Sequence, residues 1–274
     1  MSNHGYGFGV QMPASGGGGG GMPVVADHII GIDASSYVDP GGGSDRRVVN
    51  GVITNIAPGA PIALTPHFDP NNLPILHTGD WVRDASTMTG PGAGDWFSNN
   101  RSGRDSSFLS VTEIEMDFAS VPSSTGHVVV IGIYITSLDG AVWTSPYFSN
   151  VSNSRVAMQS TDGRIDVVTP DGGVDSNAVA GGDSTGWARD AWKLWAFGIT
   201  DDTFWSSIDG VESTYTNSML GAGGTFPLIV GPWSTLADCG FTCIHYWNSF
   251  HTLATMRPVI SYLATKHGHS YTAP

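Results

Sequence analysis

Thr112–Phe118 reads TEIEMDF and sets three carboxylates at alternate positions, Glu113, Glu115 and Asp117. In an extended chain that spacing puts all three on one face and Ile114, Met116 and Phe118 on the other. Neighbouring carboxylates on a sheet face can serve as nucleophile, orienting group and general acid or base. The distances do not suit a carboxylate pair. Retaining glycoside hydrolysis holds two carboxyls about 5–5.5 Å apart, whereas same-face neighbours on a strand lie roughly 6.5–7 Å apart, and Glu113 and Asp117 roughly 13 Å. The stretch is read as a polar sheet face, and no catalytic residue is assigned.

Other reactive types give weaker patterns. His4, His28, His67, His77, His127, His245, His251, His267 and His269 are scattered, and none falls in a HExxH frame. Gly16–Gly21 has no following Lys-Ser/Thr to make a phosphate loop. Cys239 and Cys243 are the only cysteines. A disulfide across CGFTC needs a tight turn, so two reduced, buried thiols are expected; with His245 they supply too few ligands for zinc. Trp192, Trp195 and Trp205 read as core. Trp81, Trp96 and Trp233 stand in Gly- and Pro-rich stretches, where aromatic platforms for sugars would sit, and are the candidate carbohydrate-binding residues. Neither metal nor cofactor is expected.

These groups must be positioned by strands. Ala191–Thr200 alternates Trp192, Leu194 and Ala196 against Trp195, Phe197 and Ile199, and Thr203–Asp209 alternates Phe204 and Ile208 against Trp205. Period-two alternation predicts a hairpin, Asp209-Gly210 predicts a tight turn, and Val211–Tyr215 follows as a third strand. Apolar groups on both faces predict an inner strand of a layered sheet. Further strands are expected at Ile29–Ile32, Val48–Ile53, Ile62–Leu64, Phe108–Phe118, Val128–Thr136 (paired with the preceding one), Ala141–Phe148, Ser154–Gln159, Ile165–Val168, Phe226–Val230 and Phe241–Trp247. One terminal helix is expected, capped by Thr255, with Pro258 in its first turn and Gly268 as its stop.

Composition bounds the partners. Only 13% of the 274 residues are charged, lysines number two, glycines 37, and the net charge is −13. That profile points to an all-β chain and argues against nucleic acid, whose phosphates require Lys/Arg clusters. The longest apolar run, Val128–Ile135, has strand length, so no membrane span is expected. The first residues carry neither a basic region nor a continuous apolar segment, so no secretory signal is expected. Residues 1–27 form a Gly-rich arm and linker, and residues 28–274 the globular domain. Within the arm Tyr6, Phe8 and Val10 alternate with glycines, which would give an extended segment one apolar face able to add to a partner's sheet or groove.

GIDASSYVDPGGG, the IDGVESTYT that follows a Trp-rich strand, LIVGPWS and HYWNSFHTLATMRPVISYLATKHG together resemble the concanavalin A-like, laminin-G-like jelly-roll superfamily over about residues 28–274. The resemblance implies two curved antiparallel sheets packed face to face, a fold that lectins, glycanases, adhesion modules and viral surface proteins share. The carboxylate strand is similar to the Glu-x-Asp-x-x-Glu strand of glycanases of this fold, but with Glu in the middle and Asp last. Glu115, Asp117, His127 and Ile131-Gly132-Ile133 resemble the metal-binding region of legume lectins, without the Asn and second Asp that complete its ligands. The reading reached is a non-enzymatic virion structural or adhesion protein of a bacteriophage, such as a head decoration, head fibre or tail-associated protein. Its arm would attach to other virion proteins, its jelly roll would meet host surface glycans, and a homotrimer is expected. A glycanase using Glu113, Glu115 and Asp117 and a lectin using loop tryptophans are the alternatives.

Overall fold

The computed structural model describes residues 21–34, 57, 65–67, 75–78, 81–83, 86–88, 90, 95–98, 114–122, 126–135, 146–149, 155–158, 165–168, 174–175, 191–200, 203–216, 225–232 and 239–273. Seventeen strands and one helix follow in order: β1 (His28–Asp33), β2 (Thr65–His67), β3 (Ile75–Thr78), β4 (Trp81–Arg83), β5 (Ser86–Met88), β6 (Asp95–Ser98), β7 (Ile114–Pro122), β8 (Gly126–Ile135), β9 (Pro146–Ser149), β10 (Arg155–Met158), β11 (Ile165–Val168), β12 (Val174–Asp175), β13 (Trp192–Thr200), β14 (Thr203–Ile208), β15 (Val211–Thr216), β16 (Thr225–Pro232), β17 (Cys239–Trp247) and α1 (Leu253–His267). One sheet has eight strands, ordered β15-β14-β13-β8-β17-β6-β3 with β1 also on β17; a second has seven, ordered β12-β11-β10-β9-β16-β7-β2. β4 and β5 form a separate two-stranded ribbon. The chain is an all-β antiparallel jelly-roll sandwich with a short C-terminal helix.

The aromatic hairpin forms as its alternation dictates. Trp195 faces Ile208 and Gly198 faces Trp205 in the β13–β14 register. Leu194, Trp195, Ala196, Phe197, Phe204 and Trp205 are all buried, which places apolar groups on both faces. At the β14–β15 turn Asp209 and Gly210 both have positive φ, 52° and 92°, as a type I′ turn requires. The Asp209 carboxylate accepts from the Leu194 amide at 2.9 Å and from Lys193 Nζ at 2.7 Å, tying the turn back to β13.

One expected pairing is wrong. Val128–Thr136 does not pair with the strand before it: β8 lies between β13 and β17 in the larger sheet, while β7 lies between β16 and β2 in the smaller. Nearness in sequence suggested a hairpin. Val128, Val129, Val130, Ile131 and Ile133 are all buried, and such a strand demands a central position covered on both faces. Within the expected strand Phe108–Phe118, residues 108–113 lie outside the described residues, as do 48–53 and 62–64.

The helix starts earlier than expected. Its N-cap is Thr252, not Thr255; the Thr252 hydroxyl accepts from the Thr255 amide at 3.3 Å. Pro258 consequently falls in the second turn, where it removes the amide that would bond the Ala254 carbonyl. Ala254 and Pro258 are both exposed, so water can take that carbonyl. Gly268 ends the helix at φ 70°, and the His269 amide reaches back to the Ala264 carbonyl at 2.9 Å, closing a Schellman motif. The buried stripe Met256, Val259, Ile260 and Leu263 lies on Val128, Val130, Leu194, Ala196, Trp205 and Trp247 of the larger sheet. Each such side chain contributes about 1.5–3 kcal/mol when fully buried. Met22 and Val25 pack on the same cluster, and the Asp27 carbonyl accepts from the Asn248 amide at 2.9 Å. The packed unit therefore includes residues assigned by composition to the linker.

Candidate functional site

Among the described residues, ionisable side chains converge where β1, β17 and the end of α1 meet. β1 ends in Asp33 and begins with His28, and β17, its antiparallel partner, carries Cys243 and His245; Gly31 faces His245 and Asp33 faces Cys243 in the register. Bulges at His28/Ile30 in β1 and at Phe241/Cys243 in β17 shift the alternation. Polar residues are thereby aimed at the layer beneath α1. The helix delivers Lys266 and His267 from its last turn, and the chain leaving it delivers His269. Among the described residues these make a buried polar seam between β1, β17 and the helix terminus.

Its geometry is tight. His28 Nε2 lies 3.1 Å from His245 Nδ1, and the His28 ring stacks on Trp247 with centroids 4.3 Å apart. His269 Nε2 lies 2.8 Å from Thr242 Oγ1. Lys266 Nζ forms an ion pair with the fully buried Asp33 carboxylate, and His267 Nε2 stands 3.5 Å from the same Oδ2 atom. A Cβ at Gly132 of β8 would overlap both Thr242 Oγ1 and His269 Nε2. The glycine of Ile131-Gly132-Ile133 thus makes room for the C-terminal segment.

Burial sets the charge state. Desolvation holds His28 down at about 4 and His269 at about 3, with His267 adding to the latter. It also pushes His245 well below its ordinary value, with His28 adding and Asp33 opposing, and lowers His267 against the pull of Asp33. The Cys243 thiol is pushed up to about 12, chiefly by burial and then by Asp33. At neutral pH the seam holds neutral imidazoles, an un-ionised thiol and one ion pair. Such a set has neither a nucleophile nor a solvent-facing base.

The sequence candidates are placed elsewhere. Glu115 and Asp117 lie in β7 of the smaller sheet, opposite His67 and Thr65 of β2; Glu113 falls outside the described residues. His127 is in the other sheet, stacked on Tyr246 with centroids 5.5 Å apart and held down at about 4 by burial. The segment resembling a lectin metal region is therefore split between two sheets, and no group of three ligating side chains occurs among the described residues. Trp96, expected as a sugar platform, is 0% exposed and meets Trp192 edge-on at 5.4 Å. It belongs to the core, because β6 pairs with β17 and β3 inside the larger sheet. Trp81 lies in the β4–β5 ribbon. Trp233, Tyr6, Phe8 and Val10 fall outside the described residues.

Cys239 and Cys243 share β17 rather than flanking a turn. Four residues of extended chain separate their Cα atoms by roughly 13 Å, against about 7 Å at most for a disulfide. Cys243 is a free, buried thiol. The seam itself went unread in the sequence because its members span His28 to His269. Three of the four histidines in the last stretch, His245, His267 and His269, beside an otherwise apolar strand and helix, were its one local signal.

No family model matches this chain, and no curated protein does so. Solved structures do resemble it in fold. The botulinum neurotoxin serotype D binding domain aligns with a TM-score of 0.52 at 6% identity, over 86% of this chain and 51% of that one. The botulinum neurotoxin type G receptor binding domain aligns with a TM-score of 0.51 at 7% identity, over 88% and 52%. The chain spans about half the length of these neighbours. At such identities the likeness is one of fold.

Proposed function

We propose that this chain is a non-enzymatic adhesion protein whose jelly roll binds a surface receptor, with glycans as the receptor class. The observation that carries this reading is the fold, which follows a domain described as receptor binding over 88% of the chain. Of the tryptophans considered for sugar contact, Trp81 in the β4–β5 ribbon and Trp233 stay in the proposal; Trp96 leaves it because it is buried. Tryptophan rings are the side chains that most readily stack on the apolar face of a sugar. In the full reading the protein belongs to a bacteriophage virion. The arm of residues 1–27, with Tyr6, Phe8 and Val10, joins it to other virion proteins, and a trimer strengthens each weak arm by avidity.

The test is a glycan array probed with the full chain, beside the Trp81→Ala variant. Binding to a defined glycan set, reduced at least about tenfold by the substitution, is the expected result. Hydrolysis of β-glucans that Glu113→Gln abolishes would replace this reading with a glycanase. Absence of binding to any glycan or host cell would overturn the receptor assignment.

A further inference from the structure

We propose that the seam is an acid-released latch: protonation of its histidines detaches the C-terminal half of α1 and the following tail from β1 and β17, uncovering the apolar sheet face beneath. The His28–His245 contact carries the inference. At 3.1 Å, His28 Nε2 and His245 Nδ1 can share only one hydrogen, one ring donating and the other accepting. A second proton turns both atoms into donors facing each other, and the bond becomes a repulsion.

The surroundings do not absorb the added charge. His245 Nε2 and His269 Nδ1 are buried without a hydrogen-bond partner. From β1 the seam is faced by His28 and Asp33, from β17 by Cys243, His245 and Thr242, and from α1 by Lys266 and His267. Farther along the tail, Tyr271 lies near Glu212 and Arg257, which are bonded to each other at 2.6 Å. Asp33 is the one carboxylate in the seam itself among the described residues, and it is already paired with Lys266. The Cys243 thiol supplies no anion. The helix C-terminus favours a proton on His267, but three more imidazoles beside an ammonium leave an excess of buried positive charge.

The tail transmits the release. His269 sits over Gly132, and three residues on the Thr272 amide donates to the Asp209 carbonyl at 3.1 Å. The part that lifts carries Leu263 and Ala264, which now share one buried apolar cluster with Val130, Leu194 and Ala196 of the sheet. Acid would thus convert a closed surface into an apolar one.

Hydrogen exchange of the full chain, read by mass spectrometry from pH 7.5 to about 4.5 and corrected for intrinsic rates, tests the latch. Protection over residues 260–273 should fall at least about tenfold per pH unit below about pH 6, while β13 and β14 keep theirs. The double variant His28→Phe, His245→Phe should show a shallower fall, and His269→Gln, which keeps a partner for Thr242, provides a second comparison. Unchanged protection of residues 260–273 across this range would overturn the proposal. So would simultaneous loss in β13 and β14, which would mark global unfolding to which His127 contributes, or variants with the wild-type pH profile.

Discussion

The terminal helix rests on two unlike surfaces. Towards β13 and β14 it meets Leu194, Ala196 and Trp205, a dry contact with nothing to titrate. Towards β1 and β17 it meets Asp33 and the histidines, equally buried but held together by hydrogen bonds and one ion pair. The two contacts shield the same helix from water by different physics. Apolar burial is indifferent to pH, whereas neutral imidazoles stay neutral only while protons are scarce. The first turns of the helix, with Met256 and Val259, are therefore fastened at any pH, and its last turn conditionally.

The largest test of that contrast is acidity itself. His28 and His269 have folded-state values of about 4 and about 3 against 6.5 unfolded. The folded state thus binds fewer protons, stability is full above about pH 6.5, and it declines as pH falls towards those values. Between pH 6.5 and 5 these two groups alone should remove roughly 3 kcal/mol, the slope of each approaching about 1.4 kcal/mol per pH unit as the unfolded imidazole becomes fully protonated. Urea unfolding at pH 7.5, 6 and 5 measures it, and a flat profile would erase the distinction between the two sides.

Truncation on the dry side sharpens the comparison from the other direction. Met256→Ala, in the half of the helix that stays docked, should cost about 2–5 kcal/mol by loss of apolar contact plus the cavity left behind. The loss should be equal at pH 7.5 and pH 6, and a loss that varied with pH would show that the dry contact is coupled to the seam. Gly132→Ala should have a smaller effect, about 1–3 kcal/mol, because the new methyl displaces His269 and Thr242 rather than opening a void. Exchange protection should then fall in residues 268–273 at neutral pH with the sheet unaffected; protection lost across β8 would mean the strand itself had shifted.

Much of the larger sheet was legible before any coordinates. Trp192–Thr200, Thr203–Ile208 and the Asp209-Gly210 turn lie where period-two alternation and a turn pair place them. The helix stop at Gly268 was equally plain, because only a left-handed residue ends the stripe there. Its start was misplaced by three residues, since Thr252 and Thr255 are both competent caps. The sugar-platform assignment of Trp96 failed for a related reason. Glycine and proline around a tryptophan indicate irregular chain, but not whether that chain folds into a sheet.

Sequence by itself determined the fold class, the strand faces and the hairpin, because these follow from contacts within a few residues and from the period of the backbone. Only the tertiary structure decided which sheet each strand joined and which ionisable groups met. His28 and His245 stand 217 positions apart, and nothing in the composition around either one encodes the other. Their meeting depends on β1 pairing with the last strand and on two bulges that turn polar residues towards the helix. A carboxylate cluster is visible in seven consecutive letters, whereas a histidine cluster assembled by pairing across the whole chain exists only once the chain has closed on itself.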